Sequence, residues 1–281
     1  MGSSTLLKIF LILFGALGLQ RPLLAATQID SGAYVKAVYS LPLTLDPAKM
    51  NDTASLLAGN MIYSGLLKFS PTLRIEGDLA EKWETSPDGK ILRFTLRESA
   101  IFHNGEPVTA ADVASSLTRV ISTGSRVEKY YDCIEGADLV ISGKFESVSG
   151  LKEIDKRTLE IQLKYPFPPF LSILAGATAK VMPKNLVSKI DFFKNPVGSG
   201  PYKFMGQDND KKEVTLVKFE KYHFGSPKLT KIILKQFSEA EATKGAKAGS
   251  VHDLANWPLT RENDVFHFGQ YVSGPVAATW I

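Results

Sequence analysis

The chain has 281 residues, of which 44% are hydrophobic and 22% charged, with a formal net charge of +4; a chain of this size buries roughly three quarters of its unfolded surface and can supply its own core. Cys133 is the single cysteine, which excludes an intrachain disulfide, so the fold is held without disulfide cross-links. Residues 1–26 contain Lys8 and Arg21 and no acid; without them the charge falls to about +2, which lacks the strongly basic, clustered face of a nucleic-acid binder.

Ile9 to Leu19 (IFLILFGALGL) is an apolar run of eleven residues behind Lys8, too short for a bilayer core that needs about 20. It reads as the h-region of a signal peptide spanning residues 1–26, with Ala25 and Ala26 at the cleavage point. Leu23 or Leu24 fits the small-residue rule at the minus-three position poorly, so an uncleaved anchor is the alternative. No cysteine stands at or just after the expected cleavage point, so a lipid anchor on an N-terminal cysteine is not expected. The expected location is the periplasm.

Tyr34 to Tyr39 alternates as a strand does and is ended by Pro42. Leu43 to Asp52, with Asp46-Pro47 and Asn51-Asp52, is expected to be an irregular loop. Thr53 then caps a helix whose apolar face holds Leu57, Met61 and Ile62. Asp88-Gly89 marks a tight hairpin before Leu92, Phe94 and Leu96, the inward positions of a strand. Thr109 and Asp112 make an approximate capping box for a helix with Val113, Leu117, Val120 and Ile121 on one face. Asp112 is thereby a fold residue and not a catalytic acid.

Leu159 to Leu163 is a further strand, stopped by the prolines of YPFPPF (Tyr165 to Phe170), whose aromatic rings either pack inside the fold or line a groove. In GSGPY, Gly198 and Gly200 are expected to adopt dihedrals that other residues avoid, and Pro201 fixes the next one. The strand-like YKFMG that follows excludes a phosphate loop, which needs GxxxxGK and a helix. Lys211 and Lys212, beside Asp208 and Asp210, form a solvated hairpin tip. Glu213 to Phe219 and Lys231 to Phe237 are strands, Glu239 to Lys247 is a helix ending at Gly249, and Ser250 to Leu254 is a short strand. Val276 to Ile281 begins another.

His103, His223, His252 and His267 show no HxxxH spacing, and no GxSxG elbow or paired carboxylate motif is present. No enzyme activity, metal or cofactor is expected. Cys133 lacks an activating neighbour and reads as a small packed residue.

Seven segments occur in one order: LDP (Leu45 to Pro47), MIYSGLL (Met61 to Leu67), LAEKW (Leu79 to Trp83), DGKILRFTLR (Asp88 to Arg97), FHNGEPVTAAD (Phe102 to Asp112), NPVGSGPYKF (Asn195 to Phe204) and YHFGSPKLTKII (Tyr222 to Ile233). Together they resemble the extracytoplasmic solute-binding proteins of peptide and nickel ABC importers, family 5, over Tyr34 to Ile281. The resemblance implies an α/β, type II periplasmic binding protein-like fold, clam-shaped, with a mixed sheet. Residues 27–48 and 165–270 would form a discontinuous first lobe, residues 49–164 its inserted subdomain, and residues 271–281 the start of the crossover to a second lobe missing from this sequence.

The family likeness also implies the binding residues. Asn51, Asp52 and Thr53 follow LDP and would run beside the ligand, pairing with its main chain as an added strand does. Arg126, next to Ser125 in a cleft-side loop, either meets a ligand carboxylate or is a solvated loop charge. Ala255, Asn256 and Trp257 pass near the hinge, where Trp257 either stacks on a ligand or is buried between lobes. The expected role is capture of a small peptide or similar solute and its delivery to an ABC transporter permease, by a monomer. The alternative is a truncated protein-interaction module that keeps a permease-docking lobe without binding solute. Peptides, nickel chelates, haem and oligosaccharides all remain open as ligands.

Overall fold

The computed structural model describes residues 33–124, 128–189 and 191–254. β1 (Tyr34–Val38) leads through the LDP loop to α1 (Thr53–Ile62). β2 (Leu67–Phe69) and β3 (Ile75–Gly77) form a ribbon, and β4 (Ala80–Thr85) with β5 (Ile91–Leu96) a hairpin. Next come α2 (Ala110–Ser122), α3 (Ala137–Ile141), β6 (Leu151–Glu153), β7 (Thr158–Gln162) and α4 (Phe170–Leu174). β8 (Tyr202–Asp208), β9 (Glu213–Lys218), β10 (Lys231–Gln236) and α5 (Glu239–Lys247) follow.

One four-stranded sheet has the order β1-β10-β9-β8, with β1 parallel to β10 and the other pairs antiparallel, so it is mixed as expected. A second, antiparallel sheet has the order β4-β5-β7-β6. The chain therefore leaves the first sheet after β1, builds the second, and returns at β8. Each sheet has its own core. Leu92, Phe94 and Leu96 turn inward from β5 and meet the Val113, Leu117, Val120 and Ile121 face of α2, with Tyr131 and Phe170 stacked edge to face beside them. Ile62, Tyr63, Val214, Leu216 and Leu234 form the other core. Each such side chain contributes about 1.5 to 3 kcal/mol on full burial. α5 covers a third, smaller cluster of Ala37, Ala242 and Val251.

Local signals hold where their partners are close in sequence. Thr109 Oγ1 accepts from Asp112 N–H at 3.3 Å and Asp112 Oδ2 accepts from Thr109 N–H at 2.9 Å, completing the capping box. Lys212, with φ 53°, turns the β8–β9 hairpin at the charged tip.

Four expectations are corrected. The helix cap is Asp52, whose Oδ1 accepts from Ser55 N–H at 2.9 Å, and Thr53 is the first helical residue. The deepest face of α1 is Ala54, Ser55, Ala58, Gly59 and Ile62, while Leu57 and Met61 are only half-buried. Small residues win there because Met50 lies against the helix: a Cβ on Gly59 would meet its Sδ at 2.4 Å. Residues 250–254 form no strand beyond a single parallel bridge from Asp253 to Lys36. The Val35 N–H that a longer ladder would use donates to His252 Nδ1 at 3.1 Å instead. Finally, neither Gly198 nor Gly200 has a positive φ. Both are needed for close approach: a Cβ would stand 2.0 Å from Ile62 O at Gly198 and 2.6 Å from Met61 O at Gly200.

Candidate ligand-facing loop

The loop between β1 and α1 is organised by one buried carboxylate. Asp46 Oδ1 accepts from Ala48 N–H at 3.1 Å, and its main-chain carbonyl accepts from Lys49 N–H at 2.9 Å and Met50 N–H at 3.1 Å. Asp46 N–H donates to Thr44 Oγ1 at 3.0 Å, and Thr44 N–H donates to Ser55 Oγ at 3.1 Å, so the loop is tied back to the start of α1. The side chain of Asp46 is 4% exposed, and Arg119 of α2 grips it with two donors, at 2.6 and 2.7 Å. Paired, parallel donation of this kind is the strong form of an ion pair. Tyr63 OH donates to Leu45 O at 2.8 Å, and burial holds its phenol far above the usual range.

This frame presents Asn51 to Thr53. Asn51 is exposed and makes no hydrogen bond to the other described residues. Asp52 is extended, with φ −114° and ψ 154°, and its Oδ2 is buried without a partner among the described residues. Thr53 is exposed. Leu43, placed beside the helix start by the Thr44 to Ser55 bond, is 78% exposed. Of the three contiguous residues, Asn51 and Thr53 are exposed and Asp52 is half-buried and engaged in capping α1. Arg126, Asn256 and Trp257, with Ser125 and Ala255, lie outside the described residues.

Two further clusters join motifs that are distant in sequence. His103 N–H donates to Gly198 O at 2.8 Å, Gly198 N–H donates to His103 Nδ1 at 3.3 Å, and Nε2 lies 3.0 Å from Gly200 O. Since Nδ1 accepts, the proton is assigned to Nε2, and burial pushes the imidazole down to about 4. The FHNGE and GSGPY segments are therefore one structural unit. Asp78 joins another set, accepting from Gly65 N–H at 3.1 Å and pairing with His223 Nε2 at 2.9 Å. Lys180 is buried nearby, and desolvation lowers its pKa.

Sequence reasoning did not single out Arg119 or Asp78. The signal for Arg119 was a cation bordering the apolar face of α2, between Leu117 and Val120; for Asp78 there was none, because its partners come from elsewhere in the chain. Cys133 is 2% exposed and burial pushes its thiol up to about 11, the state of a packed thiol. Among the described residues, no group of His, Cys, Asp or Glu could hold a metal ion, and no helix is long and apolar enough to cross a membrane.

Residues 74–275 match the family described as Bacterial extracellular solute-binding proteins, family 5 Middle. The glutathione-binding protein GsiB of Escherichia coli strain K12 is 32% identical over 222 residues, 77% of this chain and 40% of GsiB. GsiB of Salmonella typhi is 32% identical over 220 residues, with the same shares. Among solved structures, the Escherichia coli murein tripeptide binding protein MppA superposes with a TM-score of 0.71 at 28% identity, over 78% of this chain and 45% of MppA. The periplasmic oligopeptide-binding protein OppAIV of Borrelia burgdorferi gives 0.75 at 28% identity, over 82% and 49%. These are type II periplasmic binding proteins with mixed α/β content, and they are binding proteins of transporters, not enzymes. The chain spans about 40% of the length of the curated relatives and under half of the solved ones. By its motifs, its sheets and these matches, this chain belongs to the family 5 bacterial extracellular solute-binding proteins.

Proposed function

We propose that the chain is the solute-binding component of an ABC importer, which captures a small peptide outside the cytoplasm and delivers it to the permease. One observation carries the reading: Asn51 is exposed and makes no hydrogen bond to the other described residues, next to the extended backbone of Asp52 and near the uncovered Leu43. Free N–H and C=O groups on a firm loop are what an extended peptide pairs with, and such pairing tolerates many side chains. The solute class is supported by the relatives, since GsiB is named for glutathione and MppA for a murein tripeptide. Arg126, Asn256 and Trp257 are proposed as further contacts.

Residues 1–26 act in this reading as a signal peptide and the mature protein works in the periplasm, as its relatives do. Residues 27–48 and 165–270 form the first lobe and residues 49–164 its inserted subdomain. Titration of 15N-labelled residues 27–281 with reduced glutathione or tri-alanine at millimolar concentration, where weak one-sided binding still registers, is the test, with nickel-histidine as the non-peptide control. The amides of Asn51 to Ala54 are expected to shift with the peptides and not with the chelate. Shifts with nickel-histidine alone would overturn the peptide assignment. No shift with any of them would favour a partner-docking module.

A further inference from the structure

We propose that Arg119 is a positioning residue for the ligand-facing segment: its forked grip on Asp46 sets the course of the main chain through Asn51 to Thr53. The proposal rests on the peptide-binding reading given above. Arg119 touches none of those three residues in the bonds it makes; it acts through Asp46.

Asp46 is the hub on which the loop is wound. Its carboxylate and carbonyl together hold the amides of Ala48, Lys49 and Met50, the residues immediately before Asn51. Beyond Asn51, Asp52 caps Ser55, and Ser55 Oγ returns to Thr44 N–H, so the segment is pinned on both sides. Arg119 is the only cation that pairs with Asp46 among the described residues, and the ring of Phe193 lies 4.8 Å from its guanidinium carbon and steadies it. A carboxylate this buried without its cation must move toward water or take up a proton. Either change weakens the hold on Ala48 and lets the following residues drift. A single ammonium cannot reproduce the two parallel donors, so lysine is only a partial substitute. Since Arg119 stands on α2 and Asp46 precedes α1, the ligand-facing segment is also registered to the inserted helix.

Amide hydrogen exchange on the ligand-free full chain, for wild type, R119M and R119K, tests the proposal. In R119M the amides of Ala48, Met50 and Ser55 are expected to exchange about tenfold or more faster, while those of β9 change less than about twofold. R119K should fall between, and it carries the comparison if R119M does not fold. Glutathione shifts at Asn51 to Ala54 should shrink in the same order. Equal acceleration along the whole chain would show a merely structural ion pair and overturn the proposal, as would unchanged loop amides. Failure of the peptide reading looks different: a selective exchange effect in the variants with no glutathione shift even in wild type. That outcome overturns the ligand-facing half of the proposal.

Discussion

His103 carries no proton on Nδ1 because Gly198 N–H occupies that nitrogen, and burial holds its pKa near 4. The unfolded chain, with an ordinary histidine near 6.5, takes up the proton first as pH falls. The neutral imidazole therefore contributes fully above about pH 6.5, and its contribution is lost progressively toward pH 4, on the order of 3 kcal/mol in all. Urea unfolding at pH 7 and pH 4.5 should show a smaller loss in His103→Gln than in wild type by most of that amount; parallel losses would contradict it. Cys133 offers a second check. With its thiol near 11 and buried, alkylation by iodoacetamide at pH 7.5 should run about 100-fold slower in the folded chain than in urea. Cys133 was legible as a packed residue from its lack of activating neighbours, whereas the role of His103 was not, because its partners lie 95 and 97 residues away.

At the scale of elements, legibility followed the range of the interaction. The capping box of α2 was readable because Thr109 and Asp112 satisfy each other within one turn. The start of α1 was misread by one residue, since Asp and Thr both cap well and only the reach of Ser55 N–H selects Asp52. Asp52→Ala should accordingly lower stability by about 1 kcal/mol, and Thr53→Ala by much less, in paired thermal melts. Equal effects would return the cap to Thr53. The GSGPY turn was recognised as structural but for the wrong reason. Gly200→Val should cost about 1 to 3 kcal/mol, with or without ligand, through collision with the main chain of Met61 and Ile62 and not through backbone strain. An unchanged melting curve with lost peptide binding would make the turn a binding loop.

At the scale of the whole molecule, the parallel pairing of β1 with β10 joins Tyr34 to Ile232, and no local pattern specifies such a distant rung. Several family motifs are contact points: His103 meets the GSGPY turn, His223 meets Asp78, and the LDP aspartate meets Arg119. The segment proposed to face the ligand was likewise read from these motifs, while the pairing of Arg119 with Asp46 is visible only once the loop and α2 stand side by side.

In the proposed reading the described residues offer a peptide one wall, at Asn51 to Thr53. A ligand held on one side still loses its freedom of motion but gains neither enclosing contacts nor exclusion of water. Isothermal calorimetry of residues 27–281 with a mixed di- to pentapeptide library tests this account most directly. It predicts no saturable heat at micromolar peptide. A micromolar or tighter isotherm, abolished by substitutions at Asn51 to Thr53, would contradict it and make this lobe a self-sufficient binding site.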